Sequence, residues 1–182
     1  VERSRGLGDV YKRQIPALIS YFVYRKYCFA GTNVLVSDFT RYFCGVWVII
    51  GHIFPVTMKF KGGKGIASTL GLFWINLGCE NPWFLLIGFA AFWLIAFYIV
   101  ATEWGSMGSL IGVAGFGLWQ GVIFFLRYRS EPSNPYVIIL FMLILAINVL
   151  TWVAHRKNIM RLLSGEEHHT SVKKMIHRKK KA

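Results

Sequence analysis

Three long apolar segments without a charged residue constrain the fold of this chain more than any other feature. They cover residues 83–100, 106–126 and 136–154. A helix needs about 20 mostly apolar residues to cross the hydrocarbon core of a bilayer, so each segment suits a span. Three shorter apolar segments precede them, at residues 15–27, 42–58 and 66–77. The chain is therefore predicted to be all-α, a polytopic membrane helix bundle of about six helices.

Positive charge is unevenly placed along the chain, whose net charge is +13. Lysine and arginine lie between the apolar segments and at the ends, which disfavours nucleic acid and favours anionic membrane lipids or a small anionic substrate. Alternating helices place the 59–64 loop, the 101–105 break and the tail from His155 on one side, and that tail carries nine Lys/Arg against two Glu. The positive-inside rule makes this side cytoplasmic. Five basic residues on the other side are exceptions: Arg25, Lys26, Arg41, Arg127 and Arg129.

The residue types that bind metals or form disulfides are scattered. Cys28, Cys44 and Cys79 form no CxxC pair and no Cys/His cluster. The spans contain no paired carboxylates, which Mg²⁺ would need, and no Ser-His-Asp arrangement is evident. The sequence therefore predicts no metal and no cofactor.

A basic glycine loop follows the second apolar segment. Glycines let backbone N–H groups turn toward a ligand, a cluster of such groups binds anions, and a following helix adds its positive end. The loop is not a Walker A motif, because Lys64 is followed by Gly65 where that motif has Ser or Thr. On spacing alone, a phosphate site and a flexible loop with topology-setting lysines both remain open. The candidate phosphate-binding residues are Lys61, Gly62, Gly63, Lys64 and Gly65.

Two histidines lie near the ends of apolar segments. His52 precedes the glycine loop, and an ionisable side chain at the end of a membrane helix is expected to face a partner or water. It is interpreted as a residue that supports the loop. His155 follows the last segment, and if the helix continues, His155, Asn158 and Arg161 lie on one face at steps of three residues. Such a stripe of donors suits a lipid phosphate or a substrate, or is only a basic stop-transfer cluster.

The stretches around these histidines are long and specific motifs. Residues 51–56, GHIFPV, with residues 60–67, FKGGKGIA, resemble the second signature of the bacterial acyl-phosphate:glycerol-3-phosphate acyltransferases, the PlsY family. Residues 155–167, HRKNIMRLLSGEE, are similar to its third signature, HRxNIxRLLxGxE. Residues 106–110, SMGSL, resemble the family sequence between the two. The resemblance runs from about residue 15 to residue 167.

The resemblance implies a seven-helix enzyme of the bacterial inner membrane, with its active face cytoplasmic. No obligate protein partner is evident in the sequence. Such an enzyme transfers a fatty acyl group from acyl phosphate, not acyl-CoA, to the sn-1 hydroxyl of glycerol-3-phosphate. The products are lysophosphatidic acid, for phospholipid synthesis, and phosphate. The resemblance assigns catalytic roles to His155 and Asn158, phosphate binding to the glycine loop and a more structural role to Glu167.

The N-terminal part of the chain departs from the family pattern. The first signature of the family, which carries a functional Ser and Arg with SGNxGATN, is absent, and Ala30-Gly31-Thr32-Asn33 is interpreted as a coincidental echo of it. Residues 1–14 are predicted to be non-family and foreign, residues 15–167 the acyltransferase domain, and residues 168–182 a basic cytoplasmic tail. Residues 1–182 by themselves are expected to be inactive.

Two other classes of protein remain open at this point. A small membrane transporter or binding protein for an organic phosphate anion would use the glycine loop as its binding site. It would need ionisable residues deep in the spans, where this chain has almost none. A non-enzymatic membrane protein whose basic ends bind lipid would leave the two signatures unexplained.

Overall fold

Seven helices make up the described part of the chain. The structure is a computed structural model that describes residues 5–56 and 62–166, with side chains from residue 14 onward. Each of the six predicted apolar segments corresponds to a helix, which confirms the all-α bundle. A seventh, short helix follows the last of them. The helices are α1 (Arg5–Tyr24), α2 (Val36–Ile53), α3 (Ile66–Glu80), α4 (Trp83–Thr102), α5 (Gly105–Arg127), α6 (Pro135–Ala154) and α7 (Arg156–Leu163).

Three of these helices, α4, α5 and α6, are long and apolar enough to cross a membrane by length and composition. Their outer faces carry large apolar side chains that no other part of the described structure covers. On α4, for example, Trp93, Leu94 and Phe97 are 59%, 69% and 72% exposed. A water-soluble protein seldom exposes apolar surface on this scale. Hydrocarbon is the solvent that suits these faces, so the chain is a membrane protein.

Helix α1 begins earlier than the sequence predicted. It starts at Arg5, ten residues before the apolar segment expected at residue 15, and ends at Tyr24. Hydropathy marks only the part of a helix that is apolar, and a helix continues into polar residues where water can solvate its side chains. The predicted domain boundary after residue 14 consequently lies inside a continuous helix.

The bundle is arranged around α3. Helix α1 packs on α2 and α3, α3 also contacts α4 and α5, and α6 packs on α2 and α5. Fully buried apolar side chains fill the centre: Ile49, Phe73, Leu77, Phe124, Leu140 and Ile147. The helices alternate in direction, so residues 62–65, Ser106 and His155 meet at one end of the bundle, called here the loop end. Glu80 and Arg127 meet at the opposite end, called the far end.

A buried cluster of four charged residues holds α2, α3 and α5 together at the far end. Arg41 donates to Asp38 Oδ1 and to Glu80 Oε1, each at 2.6 Å. Arg127 donates to Asp38 Oδ2 at 2.7 Å and also to Glu80. The side chains of Asp38, Arg41 and Glu80 are only 1–2% exposed. Two of the exceptions to the positive-inside pattern, Arg41 and Arg127, therefore neutralise buried carboxylates.

The segment that echoes the first family signature also lies at the far end. Asn33 donates from its backbone N and from Nδ2 to Glu131 Oε1, at 3.0 and 2.7 Å. Glu131 follows α5, beyond Arg127. The 30–33 segment is thus at the opposite end of the bundle from His155.

Candidate functional site

His155 occupies the junction between α6 and α7. Its backbone, with φ −95° and ψ 5°, ends one helix and begins the next. The predicted continuous helix is therefore two helices, because α6 stops at Ala154 and α7 starts at Arg156. The backbone N of His155 donates to Thr151 O at 3.2 Å, and the ring atom Nδ1 lies 2.8 Å from the same oxygen.

The contact with Thr151 determines which ring nitrogen of His155 carries a proton. A carbonyl oxygen only accepts hydrogen bonds, so Nδ1 must be the donor. In the neutral ring Nε2 is then the basic nitrogen. The imidazole is 2% exposed. Burial holds the pKa of His155 below its ordinary value, the Thr151 hydrogen bond opposes this, and the positive charge of Lys64 lowers the pKa further. The ring is thus a neutral proton acceptor near pH 7.

Asn158 belongs to α7 and connects this helix to α5. Its Nδ2 donates to Ser106 Oγ at 2.5 Å, and its Oδ1 accepts from Arg161 at 2.8 Å. Its backbone N donates to His155 O at 2.8 Å, which fixes the first turn of α7 on the histidine. Asn158 is only 5% exposed. The spacing of three residues therefore brings His155, Asn158 and Arg161 together, as predicted, although α7 is a separate helix.

A polar cavity of about 320 Å³ opens beside this junction. Four of its lining side chains are basic, so it is electrostatically suited to an anion. His155 is not among the lining residues, although both of its chain neighbours are. The lining residues are Lys64, Ala154, Arg156, Lys157, Asn158 and Arg161.

The glycine loop reaches this cavity through Lys64. Gly65 has a left-handed φ of +80° and stands as the N-cap of α3, with no side chain capping the helix. The first N–H groups of α3 consequently have no side-chain partner at the cap. Gly63 N donates to His52 O at 3.3 Å, so this N–H group is already engaged. Of the predicted phosphate-binding residues, Lys61 lies outside the described residues.

His52 and Glu167 were both predicted to support the site. His52 lies in the last turn of α2, directly under the loop. A Cβ on Gly63 would stand 2.5 Å from His52 Nε2, and a Cβ on Gly62 would collide with the backbone oxygens of His52 and Ile53. Only glycine fits at position 62, where the close atoms are backbone, whereas a side chain at position 63 would require the His52 ring to move. His52 therefore acts on the loop rather than on the cavity. Glu167 lies outside the described residues.

Sequence reasoning missed three residues that contact the site. Ser106 binds Asn158, Thr151 binds His155, and Thr69 of α3 binds Thr151. Only Ser106 carried a signal, because it begins the 106–110 stretch. Hydroxyl residues within apolar helices are ordinary, and their partners lie far away in sequence. Among the described residues no group of three His, Cys, Asp or Glu side chains is placed to hold a metal ion.

The fold and site define a class of protein: a polytopic membrane protein with a basic polar cavity at one end of the helix bundle. Residues 5–165 match the glycerol-3-phosphate acyltransferase family. This chain belongs to that family. The match includes residues 5–14, which form the beginning of α1.

Individual relatives agree with the family match. The glycerol-3-phosphate acyltransferase of Thermotoga petrophila is 34% identical over 154 residues, which cover 84% of this chain and 66% of that protein. The protein of that name from Clostridioides difficile is 31% identical over 168 residues, which cover 92% of this chain and 70% of its own length. The chain thus spans about two thirds of the length of these curated relatives.

Two solved structures share the fold. The integral membrane glycerol 3-phosphate acyltransferase PlsY (YgiH), in its lysophosphatidic acid form, matches with a TM-score of 0.64 and 25% identity. The match covers 90% of this chain and 69% of that one. The glycerol 3-phosphate form matches with a TM-score of 0.66 and 24% identity, and covers 94% and 72%. These matches confirm the predicted membrane helix bundle.

Proposed function

We propose that the full-length protein carrying this chain transfers a fatty acyl group from acyl phosphate to the sn-1 hydroxyl of glycerol-3-phosphate. The observation that carries the proposal is a buried, neutral imidazole at the loop end of a membrane bundle, whose two chain neighbours, Ala154 and Arg156, line a basic cavity. Lys64 and Arg161 line that cavity, and Asn158 joins them. The family membership supports the same reaction.

The proposed reaction needs few catalytic groups. The 1-hydroxyl oxygen of glycerol-3-phosphate attacks the acyl carbonyl carbon, the bond from that carbon to the phosphate oxygen breaks, and phosphate leaves. Acyl phosphate is already activated, so no covalent enzyme nucleophile is required. The protein contributes positioning and charge stabilisation. The hydroxyl proton passes to His155 Nε2 or to the leaving phosphate.

The residues divide into two groups in this proposal. Lys64 and the loop glycines Gly62 and Gly65, with Lys61 in support, hold phosphate, while Gly63, whose N–H group donates to His52 O, fixes the loop on α2. His155 orients the acceptor or takes its proton, and Asn158 aligns Arg161 toward the cavity. The first turn of α3 favours negative charge at its N-terminus.

An apolar groove beside the site suits the acyl chain. It has a volume of about 610 Å³ and runs between α5 and α7. Asn158 lines the polar cavity and its chain neighbour Ile159 lines the groove, so the groove lies next to the polar cavity. The residues that line it include Trp104, Met107, Gly115, Leu118, Ile159 and Leu162.

The proposed location is the bacterial inner membrane, with the loop end facing the cytoplasm. The tail that follows His155 carries nine Lys/Arg against two Glu. The positive-inside rule assigns such a segment to the cytoplasm. The water-soluble substrate, glycerol-3-phosphate, would then enter on that side, and the water-soluble product, phosphate, would leave on it.

The assay supplies purified full-length protein with acyl phosphate and labelled glycerol-3-phosphate and measures lysophosphatidic acid. We expect product with acyl phosphate, background with acyl-CoA, and no change on adding a chelator. Comparable turnover of acyl-CoA, or loss of activity with the chelator, would contradict the proposal. Binding of labelled glycerol-3-phosphate without any product would favour the alternative, a binding protein or transporter for an organic phosphate.

The phosphate-binding loop has its own test in Gly63→Ala and Gly65→Ala. The first forces the added methyl group against His52, and the second places a side chain at φ +80°, which costs roughly 1–2 kcal/mol. We expect kcat/KM to fall about 10- to 100-fold, because a misplacement of about 1 Å costs up to that much. Gly51→Ala is the matched control, since a Cβ there meets nothing within 4 Å. Equal activity in all three variants would remove the loop from the site.

A further inference from the structure

A buried pair of threonines joins the two halves of the site. Thr69 of α3 and Thr151 of α6 are both 0% exposed, and their hydroxyl oxygens are 2.9 Å apart. Thr151 Oγ1 donates to Ile147 O at 2.9 Å. A hydroxyl has one proton to donate, so Thr69 must donate to Thr151. The pair thus forms a directed chain from α3 into the backbone of α6.

Each threonine stands one helical turn from a different part of the site. Thr69 N donates to Gly65 O at 2.8 Å, which places Thr69 on the first turn after the glycine loop. Thr151 O accepts from both the backbone N and the Nδ1 of His155. The hydroxyl contact therefore connects α3, which begins two residues after Lys64, with the residue whose carbonyl oxygen holds the His155 imidazole.

The hydrogen bond between Thr69 and Thr151 is not explained by a contribution to stability alone. Hydrogen bonds between membrane helices contribute little on average, because the same groups find other partners in the unfolded state. Valine has nearly the same shape as threonine and would fill the same space without a polar group. Unlike the apolar contact that valine would make, a hydrogen bond is directional. It therefore restricts both the separation and the rotation of α3 against α6.

We propose that Thr69 and Thr151 are positioning residues that fix the His155 imidazole relative to the Lys64 loop. The inference rests on the proposed function. Neither threonine lines the polar cavity, so both act through other residues. Loss of the contact lets α6 shift against α3, which moves Nε2 of His155 relative to bound phosphate. The expected consequence is a fall in kcat with little change in the KM for glycerol-3-phosphate.

The test compares Thr69→Val and Thr151→Val with Thr69→Ser in the full-length protein. We expect each valine variant to lower kcat about 10- to 100-fold, the serine variant to remain within about threefold of wild type, and KM to change little. The double valine variant should be no worse than the single ones, because either change already removes the same contact. Thr40→Val is the matched control, since Thr40 donates only within α2 near the far end.

A second measurement does not depend on activity. In ¹⁵N-histidine-labelled protein, with His155 assigned through His155→Asn, the ring nitrogen shifts report the tautomer and its titration. We expect Thr69→Val to alter them and Thr40→Val not to. If the wild type lacks acyltransferase activity but Thr69→Val alters the shifts, the proposed function fails and the positioning role stands. If the wild type is active and Thr69→Val changes neither kcat nor the shifts, or acts like Thr40→Val, the positioning role is overturned.

Discussion

Replacing His155 by alanine is expected to lower kcat of the full-length protein by a factor on the order of 10² to 10⁴, the usual contribution of a positioned general base. The imidazole is buried, its Nδ1 is committed to Thr151 O, and burial with the charge of Lys64 lowers its pKa. A lowered pKa leaves a larger fraction of the ring neutral at pH values where an ordinary histidine is half protonated. Nε2 is thus ready to accept a proton in neutral solution.

The fold is expected to survive this change. Thr151 O keeps its hydrogen bond from the backbone N of residue 155, so no carbonyl is left without a partner. Unfolding in detergent and circular dichroism should therefore resemble those of wild type while kcat collapses. A loss of less than about tenfold would mean that the leaving phosphate, and not His155, accepts the proton.

Asn158 provides a matched comparison within the same turn. Asn158→Ala removes the contacts to Ser106 and Arg161, so Arg161 loses the group that aligns it. Asn158→Asp keeps the shape but places a negative charge beside a cavity that is proposed to hold phosphate. We expect Asn158→Asp to raise the KM for glycerol-3-phosphate more than Asn158→Ala does. The reverse order would indicate that Asn158 does not face a bound anion.

Replacing Glu80 by glutamine is expected to be the most destabilising change at the far end. Glu80 accepts from both Arg41 and Arg127, and with Asp38 it balances their two charges. Removing one partner of a buried pair leaves an uncompensated charge, which typically costs about 3–5 kcal/mol. Arg127 is 32% exposed and reaches water, so the lower part of that range applies.

A charge-matched double variant separates the cost of an unpaired charge from the loss of contacts. Glu80→Gln with Arg127→Gln leaves Arg41 facing Asp38, so the free energy of unfolding should recover in part. Glu131→Gln, in an exposed loop, is the control and should change stability much less. Unfolding is followed in mixed detergent micelles. A double variant that is less stable than Glu80→Gln alone would show that contacts, not charge balance, dominate.

Glu80→Gln should lower the free energy of unfolding without changing kcat. Helix α5 runs from the loop end to the far end through 23 residues, which corresponds to roughly 34 Å at 1.5 Å per residue. At a temperature where the variant remains folded, its kcat should match that of wild type. The two largest effects, at His155 and at Glu80, thus separate activity from stability.

The spans could be predicted because each apolar segment forms a helix in the bilayer hydrocarbon independently of the other segments. Residues 83–100, 106–126 and 136–154 are apolar enough that no contact with the rest of the chain is needed to make them helical in a bilayer. The start of α1 was wrong by ten residues because polar residues carry no such signal. Similarly, Arg41 and Arg127 were interpreted as exceptions to the positive-inside rule, because counting charges gives no information about their buried partners.

The separate parts of the candidate site could be predicted from the sequence, but the way they come together could not. His155, Asn158, Arg161 and Lys64 follow from two local motifs whose members are a few residues apart. Ser106 and Thr69 contact the same site from α5 and α3, 52 and 82 residues away in sequence from their partners. Contacts of that kind depend on how helices pack, which no local pattern records.

By itself the sequence determined that this chain is a membrane bundle, and it predicted which short motifs form the candidate site. Both properties are local, because apolar length and motif spacing act over one helix or one turn. The tertiary structure alone decided that α6 ends at His155, that Nδ1 of this ring faces Thr151, and that Thr69 links α3 to it. It also decided that Asp38 and Glu80 neutralise two arginines at the far end. The physical reason is that hydrogen bonds and buried ion pairs require atoms within about 3 Å, and only the packing of several helices brings distant residues that close.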